Sequence, residues 1–396
     1  MSHADRSSPP MGRRTALANL SLAALATGVS VSGRSRGQES VDLARLLRIS
    51  NVPSLSVAMV DEQGVTTRAE GLLRVREPAT VTADTGYAAA SLTKTVFAYL
   101  FLSLVHDGLI ELDRPVREYL PLPKPDDPHA AGFTARRFLS HTSGWPNWRG
   151  GSQPMVAGFE PGSRWSYSGE GFFFLQRVAE KVTGKGIGRL ARELVFEPLG
   201  MKRSSLVRAA ELEAFQASGH NGRGDPGTPF GQAARAELRR MMAGRGLPHD
   251  AATTEDTEQA YRTVEPSRPP LPNGMSPNAA ASMLTTAADF GLFLRHLVTA
   301  RRRGGASAAI VAMMMTPQVR CNEAVHWGLG VGLEDFGGRL VAWQWGDNPG
   351  FKNIFFADPG RDKAIAVFTN GDRGARVYER VVRAMTGEDH PGFLWI

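Results

Sequence analysis

The sequence predicts an α+β fold: an α/β sandwich with one antiparallel sheet flanked by N- and C-terminal helices, and an inserted, mostly helical subdomain. Three observations predict this class. Strand patterns lie near both ends of the chain, helix patterns dominate its middle, and a helix pattern bounds each strand block on its outer side. A chain of 396 residues, 42% of them hydrophobic, is long enough to bury a sizeable core.

The N-terminal block begins with a short amphipathic helix at 41–49. Pro53 precedes an apolar, valine-containing strand at 54–61, and a turn at 62–64 leads into a second strand at 65–71. The C-terminal block has four strand patterns and a closing helix pattern. These are predicted at 328–333, 340–344, 353–358, 364–370 and 373–385.

The middle of the chain carries the helix patterns. Between 209 and 273 the pattern weakens, because Gly, Pro, Asp and Thr are frequent, and only 233–242 is typical of a helix. Elsewhere apolar residues recur at helical spacing. The helices predicted there are 91–108, 133–139, 169–183 and 276–300.

Residues 1–40 are typical of an export leader. Arg13-Arg14 precede a mildly apolar run at 20–31, which is too short and too weak for a membrane-spanning helix. Paired arginines before a modest apolar run fit a twin-arginine signal, which is an address read by a receptor. We therefore expect a periplasmic or secreted protein, and a disordered basic arm is the alternative for this segment.

The net charge of +7 does not indicate nucleic-acid binding. Residues 1–40 contribute +3, so the rest of the chain carries +4. Its arginines are scattered apart from Arg301-Arg302-Arg303, and no basic stripe with interleaved aromatic residues is present. We expect no nucleic-acid partner, no integral membrane segment and no obligate protein partner.

Disulfide, metal and cofactor chemistry are not expected either. Cys321 is the only cysteine, which excludes an internal disulfide, and it lies in a polar sequence without catalytic spacing around it. His141, His220, His249 and His326 are isolated and lack i, i+4 partners. We therefore predict no metal site and no cofactor.

Ser91-Leu92-Thr93-Lys94 is the most informative motif. A serine and a lysine three residues apart on a helix lie on one face, with about 5–6 Å between their Cβ atoms. That spacing places an amine beside a hydroxyl that must lose its proton to become a nucleophile. A chance match is expected about once in a chain of this length, but Lys94 interrupts an apolar helix, where lysine is rarely buried without a role. Ser91 is also a favourable residue at a helix start.

Two further segments follow in the order that a Ser/Lys hydrolase requires. Tyr167-Ser168-Gly169 begins 76 residues after Ser91. A phenol beside a lysine has its phenolate favoured by the positive charge, so it can accept the serine proton. Trp345-Gly346-Asp347 begins where a predicted strand ends, and its glycine permits close approach of a substrate to the backbone.

These motifs resemble the serine β-lactamase and penicillin-binding protein superfamily, and within it the class C branch with its related esterases and peptidases. Leu139-Ser140-His141-Thr142-Ser143-Gly144 and the segment 278–286 share the resemblance. It covers roughly residues 43–387, without the variable stretch at 209–273. It implies a β-lactamase/transpeptidase-like fold, in which Ser91 lies at the junction of the sheet and helical parts.

The resemblance also implies a role for each motif. Ser91 matches the acylated nucleophile, Lys94 the amine that activates it, and Tyr167 the phenol that relays the proton. The third family motif, Lys-Thr-Gly or His-x-Gly, aligns with Gln344-Trp345-Gly346. The backbone N–H groups of Ser91 and Asp347 then match the oxyanion hole.

Two positions depart from the family pattern, and both bear on the substrate. Gly169 stands where the family often has an asparagine that contacts a substrate amide, and Gln344 stands where a lysine or histidine is usual. That cation helps to hold a substrate carboxylate, and a hydrogen bond to a charged group is worth about 1.5–3 kcal/mol. Lys352 is close in sequence, but we expect it to be a solvated surface lysine.

Several other side chains near the motifs have two interpretations. Four tryptophans form either an aromatic acyl pocket or packing around loops. Glu170 is expected to be an exposed carboxylate at a helix start. The tryptophans are Trp145, Trp148, Trp165 and Trp345.

The domain organisation follows from these assignments. Residues 1–40 form an export signal and disordered leader, and 41–396 form one β-lactamase-related serine hydrolase domain. Its sheet part comprises 41–90 and 276–396, and its helical part comprises 91–275.

The sequence thus predicts an exported serine hydrolase that forms an acyl-enzyme on Ser91 and acts on a small-molecule ester or amide, with carboxylesterase activity favoured. One alternative is a β-lactamase or D-Ala-D-Ala carboxypeptidase with penicillin-binding activity. Another is a catalytically weak binding or sensing homologue. Intact Ser91, Lys94 and Tyr167 argue against that last alternative, whereas Gln344 argues for it.

Overall fold

The computed structural model describes residues 41–149, 154–207, 210–213, 215–227, 232–248, 250–264 and 276–395. The predicted leader at 1–40 lies outside these residues. Strands are numbered in chain order. They are β1 (Ser54–Asp61), β2 (Gly64–Gly71), β3 (Gly86–Ala88), β4 (Leu284–Thr286), β5 (Val319–Arg320), β6 (Val325–Trp327), β7 (Gly332–Asp335), β8 (Leu340–Asn348), β9 (Phe351–Asp358) and β10 (Lys363–Thr369).

Eight of these strands form one antiparallel sheet in the order β2-β1-β10-β9-β8-β7-β6-β5. The N-terminal hairpin β1-β2 therefore joins the C-terminal strands through the pairing of β1 with β10. A separate two-stranded sheet pairs β3 with β4. This pairing connects the segment before Ser91 to the segment that follows the variable region.

The helices are also numbered in chain order. They are α1 (Leu43–Ser50), α2 (Leu92–His106), α3 (Ala135–Leu139), α4 (Gly169–Thr183), α5 (Ile187–Ala191), α6 (Glu197–Leu199), α7 (Ala210–Glu213), α8 (Gln232–Ala243), α9 (Thr254–Val264), α10 (Ala287–Arg303), α11 (Gly305–Met315) and α12 (Gly374–Thr386). A π-helical turn, Arg192–Phe196, links α5 to α6. None of the described helices is long and apolar enough to cross a membrane.

The large sheet separates two hydrophobic cores. Side chains alternate between the faces of a strand, and β10 shows this clearly. Ile365 and Val367 pack in the core formed with α1 and α12, whereas Ala366 and Phe368 pack in the core formed with α2 and α10. Phe290 of α10 contacts Phe368 at a centroid distance of 5.5 Å. The predicted α/β sandwich is therefore confirmed.

Several predicted elements are confirmed with small shifts in their ends. Helix α4 has the predicted bounds 169–183, and α8 extends the predicted 233–242 by one residue at each end. Helix α9, within the stretch predicted to be a loop region, and helix α11 were not predicted. Strand β8 continues to Asn348, four residues beyond the predicted 340–344.

The predicted helix at 276–300 is wrong in its first part. Helix α10 begins only at Ala287, and the three residues before it pair with β3 as strand β4. The reason is local: Thr286 has extended backbone, and its hydroxyl accepts a hydrogen bond from the Asp289 N–H at 3.1 Å, which caps the helix there. Apolar spacing alone does not reveal such a cap.

Candidate active site

Ser91 and Lys94 lie together at the start of α2. Lys94 Nζ is 3.3 Å from Ser91 Oγ and donates a second hydrogen bond of 2.9 Å to the carbonyl oxygen of Ala280. The Lys94 side chain is 1% exposed, and burial lowers its pKa to about 7. Near neutral pH the neutral amine of Lys94 is therefore well populated, and it lies within reach of the serine proton.

Ser91 occupies the N-cap position of α2, but it does not cap the helix in the usual way. Its backbone is helical (φ −69°, ψ −6°), and its hydroxyl makes no capping bond within the described residues. The hydroxyl instead hydrogen-bonds Lys94 and Tyr167. Ala90, immediately before it, has a φ of 52°, a left-handed conformation that non-glycine residues rarely adopt. Backbone strain of this kind is common next to reactive groups.

Tyr167 lies on the other side of the serine. Its hydroxyl hydrogen-bonds Ser91 and accepts a 3.1 Å hydrogen bond from Gln344 Nε2, and its ring centroid is 4.7 Å from Lys94 Nζ. Burial raises the pKa of Tyr167, and the two hydrogen bonds offset only part of that rise. The expectation that Lys94 favours the phenolate is therefore wrong. Burial is the largest cause of the raised pKa, and it favours the neutral phenol.

Strand β8 brings the predicted third motif to the nucleophile. The register of β7 with β8 ends at Trp343, whereas β9 pairs with β8 as far as Asn348. The edge of β8 beyond Trp343 therefore faces the start of α2. A Cβ on Gly346 would lie 2.4 Å from the carbonyl oxygen of Ala89, so only glycine permits this approach. The substrate-binding roles of Gln344, Trp345, Gly346 and Asp347 stay predictions.

Lys352 is not the solvated lysine that the sequence predicts. Its side chain is 16% exposed, and its Nζ lies 2.6 Å from Asp347 Oδ1 and 3.3 Å from Asp372 Oδ1. Two carboxylates therefore share this cation. A lysine with a free ammonium group could bind a substrate carboxylate in place of the cation that Gln344 lacks. Lys352 is not free in this way.

Gly169 begins α4 beneath the segment that carries Trp148. A Cβ at this position would lie 2.6 Å from Trp148 Cζ2 and 2.8 Å from the carbonyl oxygen of Asn147.

The predicted exposure of Glu170 is wrong. This side chain is 3% exposed and accepts hydrogen bonds from the backbone N–H and Nε of Arg149, at 3.0 and 3.3 Å. Glu170 therefore ties the segment of Asn147 and Trp148 to α4.

The four tryptophans lie in different surroundings, and the acyl pocket stays a prediction. Trp145 is fully buried against Phe138 and other phenylalanines, which is loop packing. Trp165 and Trp345 instead contact Tyr167, at centroid distances of 6.2 and 5.0 Å. Trp148 is 39% exposed.

His141 is the site residue that residue-by-residue reasoning missed. The sequence indicated an isolated histidine without metal-ligand spacing, and within the described residues no group of three or more His, Cys, Asp or Glu side chains could hold a metal ion. The imidazole in fact stacks on Tyr167, with ring centroids 4.3 Å apart. Its signal in the sequence is its place in the 139–144 motif.

Comparisons with known proteins agree with this geometry. The family described as Beta-lactamase matches residues 42–386. Esterase EstB of Burkholderia gladioli is 31% identical over 205 residues, which cover 43% of this chain and only 51% of that esterase. Penicillin-binding protein 4 of Amycolatopsis lactamdurans is 26% identical over 363 residues, which cover 85% of this chain and 86% of that protein.

A solved structure shares the fold. The octameric penicillin-binding protein homologue from Pyrococcus abyssi aligns with a TM-score of 0.66 at 20% identity, over 87% of this chain and 76% of that chain. At this identity the likeness shows the fold alone. The family match, in contrast, spans most of the sequence. The chain therefore belongs to the beta-lactamase family and is a serine hydrolase.

Proposed function

We propose that this hydrolase is an esterase that transfers the acyl group of a neutral ester to Ser91 and then to water. The observation that carries the proposal is the neutral amide of Gln344, which hydrogen-bonds the Tyr167 hydroxyl at 3.1 Å. A cation in this place would attract a substrate carboxylate next to the nucleophile. A neutral amide gives no such preference, and an ordinary ester requires none.

Two lysines in the described part of the site are consistent with the same substrate class. Lys94 is held by Ser91 and Ala280, and the ammonium group of Lys352 is shared by Asp347 and Asp372. β-Lactams and D-Ala-D-Ala peptides carry a carboxylate close to the scissile bond. Because the side-chain nitrogens of both lysines are already held, neither is free to make a charge-assisted hydrogen bond to that carboxylate.

The proton path in acylation follows from the resting protonation states. The neutral amine of Lys94 accepts the proton of Ser91 Oγ as the serine oxygen bonds to the ester carbonyl carbon. The backbone N–H groups of Ser91 and Asp347 hydrogen-bond the oxyanion. Tyr167 donates its proton to the departing alkoxide and recovers one from the Lys94 ammonium, so both groups return to their starting states.

Deacylation reverses this path with water in place of the alcohol. Lys94 accepts a proton from the attacking water, the acyl–oxygen bond to Ser91 breaks, and the serine oxygen regains a proton through Tyr167. The same two groups therefore serve as base and acid in both half-reactions.

The tryptophans near the site indicate an apolar acyl or alcohol group. Trp345 is half-buried beside Tyr167, and Trp148 packs on Gly169, two residues after Tyr167, with 39% of its surface exposed. Aromatic side chains contribute large apolar contact area. Esters with short to medium aliphatic or aromatic groups are therefore the expected substrates.

A direct comparison of substrates tests the proposal. The purified protein is assayed with p-nitrophenyl butyrate and with nitrocefin, and a fluorophosphonate probe labels the reactive serine. We expect labelling and a kcat/KM for the ester that exceeds the kcat/KM for nitrocefin. Faster nitrocefin hydrolysis would instead favour a β-lactamase or carboxypeptidase, the alternative that the match to Penicillin-binding protein 4 over 85% of the chain supports. A protein that is not labelled and hydrolyses neither substrate would instead be a binding protein.

We also propose export through the twin-arginine route, which rests on Arg13-Arg14 before the apolar run at 20–31. Replacing both arginines by lysine keeps the charge and removes the paired-arginine signal. We expect the precursor of this variant to stay in the cytoplasm, whereas the unchanged protein reaches the periplasm or the medium. Equal export of the two proteins would contradict the route.

A further inference from the structure

We propose that His141 is a positioning residue that holds Tyr167 in the orientation required for proton transfer. The inference rests on the proposed function, because it assigns a task within that reaction. His141 contacts the ring of Tyr167 and the backbone of the residues on either side of it. Three separate contacts and two energetically unfavourable features support the inference.

The first two contacts hold the backbone on both sides of the tyrosine. The N–H of Ser166 donates a 2.7 Å hydrogen bond to the carbonyl oxygen of His141, and the N–H of Ser168 donates a 3.0 Å hydrogen bond to His141 Nδ1. One residue therefore binds the positions directly before and after Tyr167. Such a clamp fixes where the Tyr167 Cα lies and the direction in which its side chain leaves the backbone.

The third contact holds the ring. The imidazole of His141 lies 4.3 Å from the Tyr167 ring centroid at an interplanar angle of 30°, and Phe172 contacts its ring at 5.1 Å. The histidine is fully buried. The Tyr167 ring therefore packs against His141 in addition to Trp345, which restricts rotation of the phenol away from Ser91.

Two energetically unfavourable features of His141 indicate that its contacts have a role beyond packing. His141 has a φ of 56°, a left-handed conformation that is unfavourable for a residue with a side chain. Its Nε2 is buried and has no hydrogen-bond partner among the residues that the structure describes. Burying a polar atom without a partner is unfavourable. An apolar residue at 141 would avoid that cost and lose the bond to Ser168.

The charge state of His141 also suits its position close to Lys94. Burial, and to a lesser extent the charge that Lys94 carries when it is protonated, holds the pKa of His141 well below its ordinary value. Because Nδ1 accepts the Ser168 N–H, the proton of the neutral ring is on Nε2. A neutral ring adds no positive charge beside Lys94 and leaves that amine free to accept the serine proton.

Three variants separate the contacts of this side chain. His141→Asn keeps an acceptor for the Ser168 N–H and tolerates the left-handed backbone, but it lacks the stacked ring. His141→Phe keeps a flat ring and lacks the acceptor, and His141→Ala lacks both. We expect kcat for p-nitrophenyl butyrate to fall by about 10²-fold in His141→Ala. We expect smaller losses in the other two variants and a change of less than about threefold in KM.

His296→Ala is the matched control. His296 is also buried, contacts the Tyr99 ring at 5.1 Å, and has a ring nitrogen without a partner in the described part of the chain. Loss of its 2.8 Å hydrogen bond with the Tyr99 hydroxyl should lower Tm and leave kcat per active site close to that of the unchanged protein. Active sites are counted from the end point of fluorophosphonate labelling, so misfolded protein does not enter kcat.

The outcomes distinguish this inference from the proposed function. If the unchanged protein is labelled and hydrolyses the ester, and folded His141→Asn and His141→Phe retain kcat within twofold, the positioning role is wrong and the esterase proposal stands. The role is equally wrong if kcat per active site falls in His296→Ala as much as in the His141 variants. If the unchanged protein is neither labelled nor active, the esterase proposal is wrong and the positioning role is wrong with it.

Discussion

Gln344 donates its side-chain amide to the hydroxyl of Tyr167 at 3.1 Å. Tyr167 in turn hydrogen-bonds Ser91, and neither Gln344 nor Tyr167 carries a charge in the resting site, because Gln344 is an amide and burial raises the pKa of Tyr167. Of the side chains of Gln344, Tyr167 and Lys94, that of Lys94 is the one that titrates near neutral pH, because burial lowers its pKa to about 7. These two pKa shifts favour a neutral amine and a neutral phenol over a phenolate held by a permanent cation.

The first prediction concerns the charge at position 344. Gln344→His supplies a group that can become cationic beside Tyr167, so the ratio of nitrocefin to p-nitrophenyl butyrate kcat/KM should rise by about tenfold, equivalent to 1.4 kcal/mol. Neutral esters gain less, because they offer no carboxylate. Gln63→His, in the exposed turn between β1 and β2, is the control and should leave the ratio unchanged. An unchanged or lower ratio in folded Gln344→His would exclude this position from carboxylate recognition.

The second prediction concerns the pH dependence of catalysis. Lys94 must be neutral to accept the serine proton, and its pKa is lowered to about 7. We expect kcat/KM for p-nitrophenyl butyrate to rise with pH, with a midpoint near 7, and to level off above it. A profile that rises only above pH 9 would show that Lys94 keeps its ordinary pKa or is not the base.

The third prediction concerns the effect of the same lysine on stability. A lowered pKa means that the folded state binds fewer protons than the unfolded state between about pH 7 and pH 10.5. The contribution of Lys94 to the free energy of unfolding therefore increases as pH rises across that window, by at most about 1.4 kcal/mol per pH unit.

Lys94→Met removes the titrating group without removing the apolar stem. We expect the variant to be inactive and to have its largest stability advantage over the unchanged protein at or below pH 7. That advantage should shrink toward pH 10. Denaturant unfolding at several pH values measures the difference, and a difference that does not vary between pH 7 and pH 10 would contradict the lowered pKa.

The fourth prediction concerns Gly169. Gly169→Asn, which introduces the residue that the family resemblance suggests for this position, should lower both Tm and ester hydrolysis, the latter by about tenfold or more. Its Cβ would lie 2.6 Å from Trp148 Cζ2 and 2.8 Å from the carbonyl oxygen of Asn147, so moving the indole alone does not make room. Gly222→Ala is the control, because nothing lies within 4 Å of its Cβ position. Wild-type activity and Tm in Gly169→Asn would contradict the close packing.

Much of the fold was predictable because its signals are local. The apolar spacing of α4 and the glycine after it indicate where that helix runs and ends, and short apolar runs bounded by turn residues predict the strands. The start of α10 was not predictable from spacing, since it depends on the Thr286 cap and on pairing of 284–286 with a strand about 200 residues earlier. Long-range pairing of this kind leaves no periodic pattern in the sequence.

The candidate site shows the same division. The spacing of Ser91 and Lys94 predicts their contact, because both lie on one helical turn. Burial of Glu170 and the pairing of Lys352 with Asp347 and Asp372 depend on segments that fold over them, so the sequence predicted both side chains to be exposed. The neutral state of Tyr167 likewise depends on how much of it the fold buries.

The most direct test of the account is to identify the labelled residue. The protein is incubated with a fluorophosphonate, digested, and the modified peptide is sequenced by mass spectrometry, beside a Ser91→Ala variant whose fold is checked by circular dichroism. We expect the adduct on Ser91, no adduct in Ser91→Ala, and a loss of ester hydrolysis in that variant of at least about 10³-fold. An adduct on another residue, or more than a few per cent of hydrolysis in folded Ser91→Ala, would contradict the account.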